Sequence, residues 1–166
     1  MIITFCGHAD FQKTPALSSR LLTLLAERVG DTPAEFYLGG YGGFDSFAYE
    51  VASQYKKTHP QVSLVFVTPY LSVEYQRTHL TEAAARYDSI LYPELERVPP
   101  RFAITHRNRY MVEKADLVIA YVCRERGGAY QSYRHALRRG KAVINLAENE
   151  SKWIYCEKFH FLSIIT

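Results

Sequence analysis

The sequence predicts an α/β protein with a doubly wound, mostly parallel sheet and helices on both faces. Three observations lead there. Short apolar, β-rich runs alternate with segments whose apolar residues recur at helical spacing, the pattern of consecutive βαβ units. The clearest run, Val62 to Val67, is nearly continuous in apolar residues, as expected of a strand covered on both faces. Two of the runs lead into glycine-rich turns that open helices. Together these features give a Rossmann-like arrangement.

The first strand reads Ile2 to Cys6 and ends at Gly7-His8. Thr14 is placed to cap the helix that follows, and Pro15 suits its first position. Leu17, Leu21, Leu24, Leu25 and Val29 form its apolar stripe, and Gly30 ends it. A second strand, Glu35 to Leu38, runs into Gly39-Gly40-Tyr41-Gly42-Gly43. Asp45 is the expected cap of the next helix, which buries Phe47, Ala48, Val51, Ala52 and Tyr55. The third strand, Val62 to Val67, ends at Thr68-Pro69-Tyr70, and a helix is expected from about Val73 to Arg86. Ser89 to Tyr92 is the fourth strand, and Pro93 to Pro100 is read as a loop. A helix around Ile104 to Ala115 then leads to the fifth strand, Leu117 to Val122. Gly127-Gly128 opens a further helix through Arg139, closed by Gly140. Ala142 to Leu146 is the sixth strand.

One domain is expected over 1–166, with a core over 2–146. The tail, 147–166, contains an apolar run, Phe159 to Ile165, read as an edge strand or an oligomer contact. A homodimer or larger homo-oligomer is compatible with it.

Composition excludes several classes. The net charge of +3 is not the basic stripe of a dedicated nucleic-acid binder, so nucleic acid is not an expected partner. The three cysteines are far apart and lack C-x-x-C spacing, so no disulfide framework or zinc site follows. The histidines show no metal-ligand spacing. The apolar N-terminus lacks the parts of a signal peptide, and no run has the ~20 apolar residues of a membrane span. A cytoplasmic setting without membrane attachment is therefore expected.

In a parallel doubly wound sheet the turns after the strands share one edge. Gly7-His8, Gly39 to Asp45, Thr68 to Tyr70 and Arg124 to Gly128 should thus border one crevice. Helix N-termini there present free N–H groups and the positive end of the helix dipole, a setting for a phosphate. Glycine lets a backbone turn tightly and approach an anion closely. Arg107 and Arg109 are two apart on a helix, so only one should face the crevice. Tyr41, Tyr70 and Tyr130 are candidates for stacking on a base.

These motifs resemble the SLOG superfamily, which includes the Lonely Guy phosphoribohydrolases and the DNA-processing protein A family. The resemblance rests on Gly39-Gly40-Tyr41-Gly42-Gly43-Phe44-Asp45, on Arg107-Asn108-Arg109-Tyr110-Met111 running into Ala115 to Ala120, and on Gly127-Gly128-Ala129-Tyr130. Phe5-Cys6-Gly7-His8 looks most like the small bacterial YoqJ-like branch. The resemblance implies a nucleotide or nucleotide-derived ligand, with no certain resident cofactor. Ligand contacts are expected from Gly7, His8, Gly39, Gly40, Gly42, Gly43, Asp45, Thr68, Tyr70, Arg107, Arg109, Gly127, Gly128, Ala129 and Tyr130. Arg107 falls where the Lonely Guy enzymes carry an active-site arginine, and it is the one catalytic candidate. The position of their catalytic glutamate is Arg134 here, a reversal of charge. The expected function is therefore binding or sensing of a nucleotide-like ligand. The alternatives are a nucleoside monophosphate phosphoribohydrolase and a single-stranded DNA-binding protein.

Overall fold

The computed structural model of the chain describes residues 1–148. The anticipated tail contact, Phe159 to Ile165, lies outside the described residues. Six strands, β1 (Ile2–Gly7), β2 (Ala34–Leu38), β3 (Val62–Val67), β4 (Ser89–Leu91), β5 (Leu117–Tyr121) and β6 (Ala142–Asn145), form one sheet in the order β4-β3-β2-β1-β5-β6. Every pairing is parallel, so the sheet is wholly rather than mostly parallel. The chain winds outward from β1 to β4, then returns to the other side of β1 and continues to β6. That reversal leaves a crevice at the carboxyl ends of β1 and β5.

Helices α1 (Pro15–Arg28) and α2 (Gly43–Lys56) bury Leu21, Leu25, Phe47 and Val51 against Ile3, Phe5, Phe36 and Ile119 on one face. Helices α5 (Pro100–Lys114) and α6 (Gly127–Arg138) cover the other face, with Met111 against Tyr37 and Val65, and Val112 and Ala136 against Val118. Thr14 accepts from the Leu17 N–H at 3.2 Å and Pro15 opens α1, as the sequence indicates. Gly140, at φ +64°, follows α6.

Three local expectations change. Between β3 and β4 the helix is interrupted: α3 (Val73–Tyr75), a π-helical turn (Gln76–Leu80) and α4 (Thr81–Arg86) follow one another. Helix α5 starts at Pro100 rather than near Ile104. Proline has no N–H to lose at the first turn, so the residue read as a loop end begins the helix. Asp45 does not cap α2. Gly42 holds that position at φ +93°, and Asp45 lies inside the first turn.

An aromatic cluster fixes the loops at the crevice. The Phe11 ring lies 5.3 Å from Phe44, 4.9 Å from Phe47 and 4.7 Å from Tyr121, centroid to centroid. Such contacts add about 0.5–1.5 kcal/mol each beyond the area buried. They clamp the loop after β1 onto the start of α2.

Candidate functional site

A cleft of about 640 Å³ opens at the β1/β5 reversal, within the range of small-molecule sites. The end of β1 and the following loop, Thr4 to Asp10, form its floor. Gly39, Tyr41 and Asp45 form one wall; Ile104, Arg107, Asn108, Met111 and Val112 of α5 a second; Arg124 and Arg126 to Ala129 the third, with Ser132 behind.

Arg107 is the most constrained of these. It is 1% exposed and lies in the buried stripe of α5, between Ala103 and Met111. One Nη donates to the Val67 carbonyl at 3.0 Å, and its Nε has no hydrogen-bond partner. The guanidinium carbon lies 5.3 Å from the centre of the Tyr41 ring. Burial holds its pKa below the usual arginine value, while Asp45 pulls it back up.

Asp45 is half-buried beside it. Its Oδ2 accepts from the Tyr41 N–H at 2.8 Å, closing the glycine turn on itself. Burial raises this carboxyl to about 6, against the opposing influence of Arg107 and the Tyr41 amide.

His8 is buried, and its Nε2 accepts from the Cys123 N–H at 3.2 Å. The acceptor role requires that nitrogen to be unprotonated, leaving the proton on Nδ1. Burial, and then the Arg124 charge, hold its pKa below the ordinary histidine value. Arg124 pairs with Asp10 through two bonds of 2.8 and 2.6 Å, joining the loops after β1 and β5 across the cleft mouth. Cys6 is no nucleophile: burial, then Asp45, push its thiol up to about 12.

The two glycine turns differ in kind. In the first, the Gly43 N–H donates to the Ala9 carbonyl at 2.7 Å, and the Tyr41 N–H is held by Asp45. A Cβ on Gly39 would overlap the Arg107 guanidinium, and one on Gly42 would lie 2.8 Å from Ala9 Cα. These glycines serve close internal packing. In the second turn no atom lies within 4 Å of a Cβ built on Gly127 or Gly128. No side chain caps α6. Its N-terminal amides, beside Arg124 and Arg126, form the open, uncapped end of the cleft.

The structure thus brings Gly7, His8, Gly39, Asp45, Arg107, Gly127, Gly128 and Ala129 to one cleft. Gly40, Gly42, Gly43, Thr68 and Tyr70 do not line it. Gly40 packs on Phe66, Thr68 is fully buried, and the Tyr70 hydroxyl donates to the Pro100 carbonyl at 3.3 Å. Arg109 and Tyr130 line a neighbouring cleft between α5 and α6. Asp10, Asn108 and Ser132 line the main cleft without having stood among the expected contacts, and Arg126 lines it within the segment expected to border the crevice. Asn108 and Ser132 had a usable signal, being adjacent to Arg107 and one helical turn after Gly128. Among the described residues no group of three His, Cys, Asp or Glu could hold a metal ion, and no helix is long and apolar enough to cross a membrane.

No family model matches the chain. It is 28% identical over 132 residues, 75% of its length, to a UPF0398 protein of Halalkalibacterium halodurans. The chain spans 66% of that relative, just under two thirds. DNA processing protein A from Helicobacter pylori superposes with a TM-score of 0.59 at 21% identity, covering 96% of this chain and 73% of that one. The chain is thus similar in sequence to a UPF0398 protein and shares its fold with DNA processing protein A. DNA processing protein A from Streptococcus pneumoniae has the same fold, with a TM-score of 0.58 at 16% identity over 85% of this chain and 48% of that one. The SLOG resemblance read from the glycine turns and the Arg107 segment agrees with both findings. The Helicobacter pylori protein is described with a single-stranded DNA binding mode of its own.

Proposed function

We propose that the cleft binds a nucleotide or nucleotide-derived anion, with a phosphate on the N-terminal amides of α6. The observation that carries this reading is the uncapped, unobstructed start of α6 at the topological reversal of the sheet. The buried Arg107 supports it independently, because its unpartnered Nε belongs to a side chain of the cleft wall. Tyr41, held from within by Arg107 and exposed on its outer side, offers a surface for a base.

Binding without base release is the expected behaviour. Cleavage of an N-glycosidic bond calls for a carboxylate beside the sugar. Arg134 stands outside the cleft and donates to the Tyr130 hydroxyl at 2.8 Å, while Asp10 is occupied by Arg124. Asp45 is the remaining carboxyl of the cleft, and the Tyr41 amide holds one of its oxygens.

Thermal unfolding with AMP, GMP, cyclic nucleotides, ADP-ribose and NAD tests the reading, with free base followed by chromatography. A ligand at 100 times its Kd adds about 2.7 kcal/mol, visible as a rise of several degrees. A rise without base release is expected. Base release would replace the binding role with a phosphoribohydrolase, and no rise with any of them would remove the nucleotide reading.

Single-stranded DNA is the second reading, favoured by the fold of the Helicobacter pylori neighbour. It requires oligonucleotide affinity that falls steeply with salt.

A further inference from the structure

The second cleft, about 440 Å³ between α5 and α6, shares Asn108, Gly128 and Ser132 with the first. The two adjoin at these residues, so that the second continues from the head of α6 along its length. Their charge is arranged differently. In the first, Arg124 is answered by Asp10, and Asp45 stands beside Arg107. The second is lined by Arg109, Arg134 and Arg138 and by no carboxylate.

Elsewhere on the described surface three arginines form ion pairs with acids, Arg124 with Asp10 among them. Arg86 pairs with Glu82, and Arg139 with Glu113. In the second cleft Arg134 has the Tyr130 hydroxyl and ring and a weaker attraction from Glu125, and Arg109 and Arg138 have no partner among the described residues. Glu113, the acid beside α6, is taken up by His135 and Arg139. Arg134 and Arg138 are also one helical turn apart, a like-charge spacing that works against the helix. Three arginines without an ion pair in a concave polar groove are suited to a multiply charged oxyanion.

We propose that the groove takes a ligand with two phosphates separated by a nucleoside, a dinucleotide. One phosphate would lie at the start of α6 and the second among Arg109, Arg134 and Arg138. This rests on the nucleotide reading above and extends it. Between Gly128 and Arg134 the helix rises about 9 Å, a span that one nucleoside between two phosphates can bridge. A mononucleotide fills only the first cleft.

The test compares AMP with the 5′-phosphorylated dinucleotide pApA by calorimetry. Four proteins are used: the unmodified chain, R109A/R138A, R134A, and R28A/K57A as a control that removes equal charge elsewhere. All these side chains are exposed, so the fold should tolerate the changes. The unmodified protein should bind pApA at least about tenfold more tightly than AMP. R109A/R138A should abolish that advantage and leave AMP affinity unchanged, and R134A should reduce it. R28A/K57A should preserve it. Equal affinities for AMP and pApA, or an advantage that survives R109A/R138A, would overturn the dinucleotide site while leaving the nucleotide reading in place. Failure of both ligands to bind would overturn the two together. A twelve-residue oligothymidylate binding far more tightly than pApA, and losing that gain in R109A/R138A, would identify a DNA strand as the occupant and overturn the dinucleotide.

Discussion

Gly39 and Arg107 are fitted to each other: the guanidinium of Arg107 occupies the space that a Cβ on Gly39 would need. Asp45 closes the same space, with its Oδ2 at 2.8 Å from that position. One residue without a side chain thereby lets a cation from α5 and a carboxyl from α2 meet at the end of β2. The consequences are open to measurement.

Gly39→Ala must displace Arg107 or Asp45, whose mutual arrangement and bonds to Val67 and Tyr41 it would disturb. It should lower stability by about 1–3 kcal/mol in urea unfolding, the usual range for overpacking. Gly128→Ala is the contrast. Nothing lies near its Cβ and its φ is not positive, so stability should stay level or rise by up to about 1 kcal/mol. Ligand affinity should nevertheless fall, because the methyl group stands where an anion approaches the α6 amides. Equal destabilisation by the two substitutions would show that the two turns do not differ in kind.

Arg107→Met keeps the length of the side chain and removes its charge. It leaves the Val67 carbonyl without its donor and Asp45 without its neighbouring cation. A loss of about 2–4 kcal/mol is expected, in line with breaking a buried charged network. The Asp45 carboxyl, already at about 6, should move higher in a carbon-13 NMR titration. An unchanged titration would mean that Arg107 does not act on Asp45.

Asp45 also implies a pH dependence. Its folded pKa lies above the ordinary value of 3.8, so the folded state holds this proton more tightly than the unfolded chain does. The contribution is fully present below about 4 and is lost as pH rises through about 6. Asp45→Asn has no such proton, and its amide oxygen can still accept from Tyr41. The stability of Asp45→Asn relative to the unmodified protein should therefore rise between pH 4 and 7. A flat difference would contradict the burial of the carboxyl.

His8 works in the opposite sense. Its pKa is depressed below 6.5, so its contribution is present above that value and lost as pH falls through the folded pKa. Protonation of Nε2 would also break the bond from the Cys123 amide. Nitrogen-15 NMR at pH 7 should find His8 neutral with the proton on Nδ1. A charged ring at that pH would remove the proposed link between the loops after β1 and β5.

Much of this site can be read in the chain, residue by residue. The stripe Ala103, Arg107, Met111 has the i, i+4, i+8 spacing of a buried helix face, and an arginine within it is a signal of burial. The choice between Arg107 and Arg109 follows from the same spacing: Arg107 faces the sheet edge and Arg109 the outer groove. The roles of the two glycine turns were not legible. Both read as phosphate turns, yet one is closed by Asp45 and Ala9, partners four and thirty-four residues away from the amides they bind.

Hydrophobic periodicity, caps and glycine stops are local properties of the chain, so the succession of strands and helices was legible before any tertiary contact was known. So was the placing of polar and glycine-rich turns at strand ends. The folded arrangement was needed to place the reversal between β1 and β5, to keep Thr68 and Tyr70 outside the cleft, and to leave the α6 amides unclaimed among the described residues while those of Tyr41 and Gly43 are taken. These outcomes depend on which distant segments meet at the sheet edge. A backbone N–H is available to a ligand only if no carbonyl or carboxylate from another loop has reached it first.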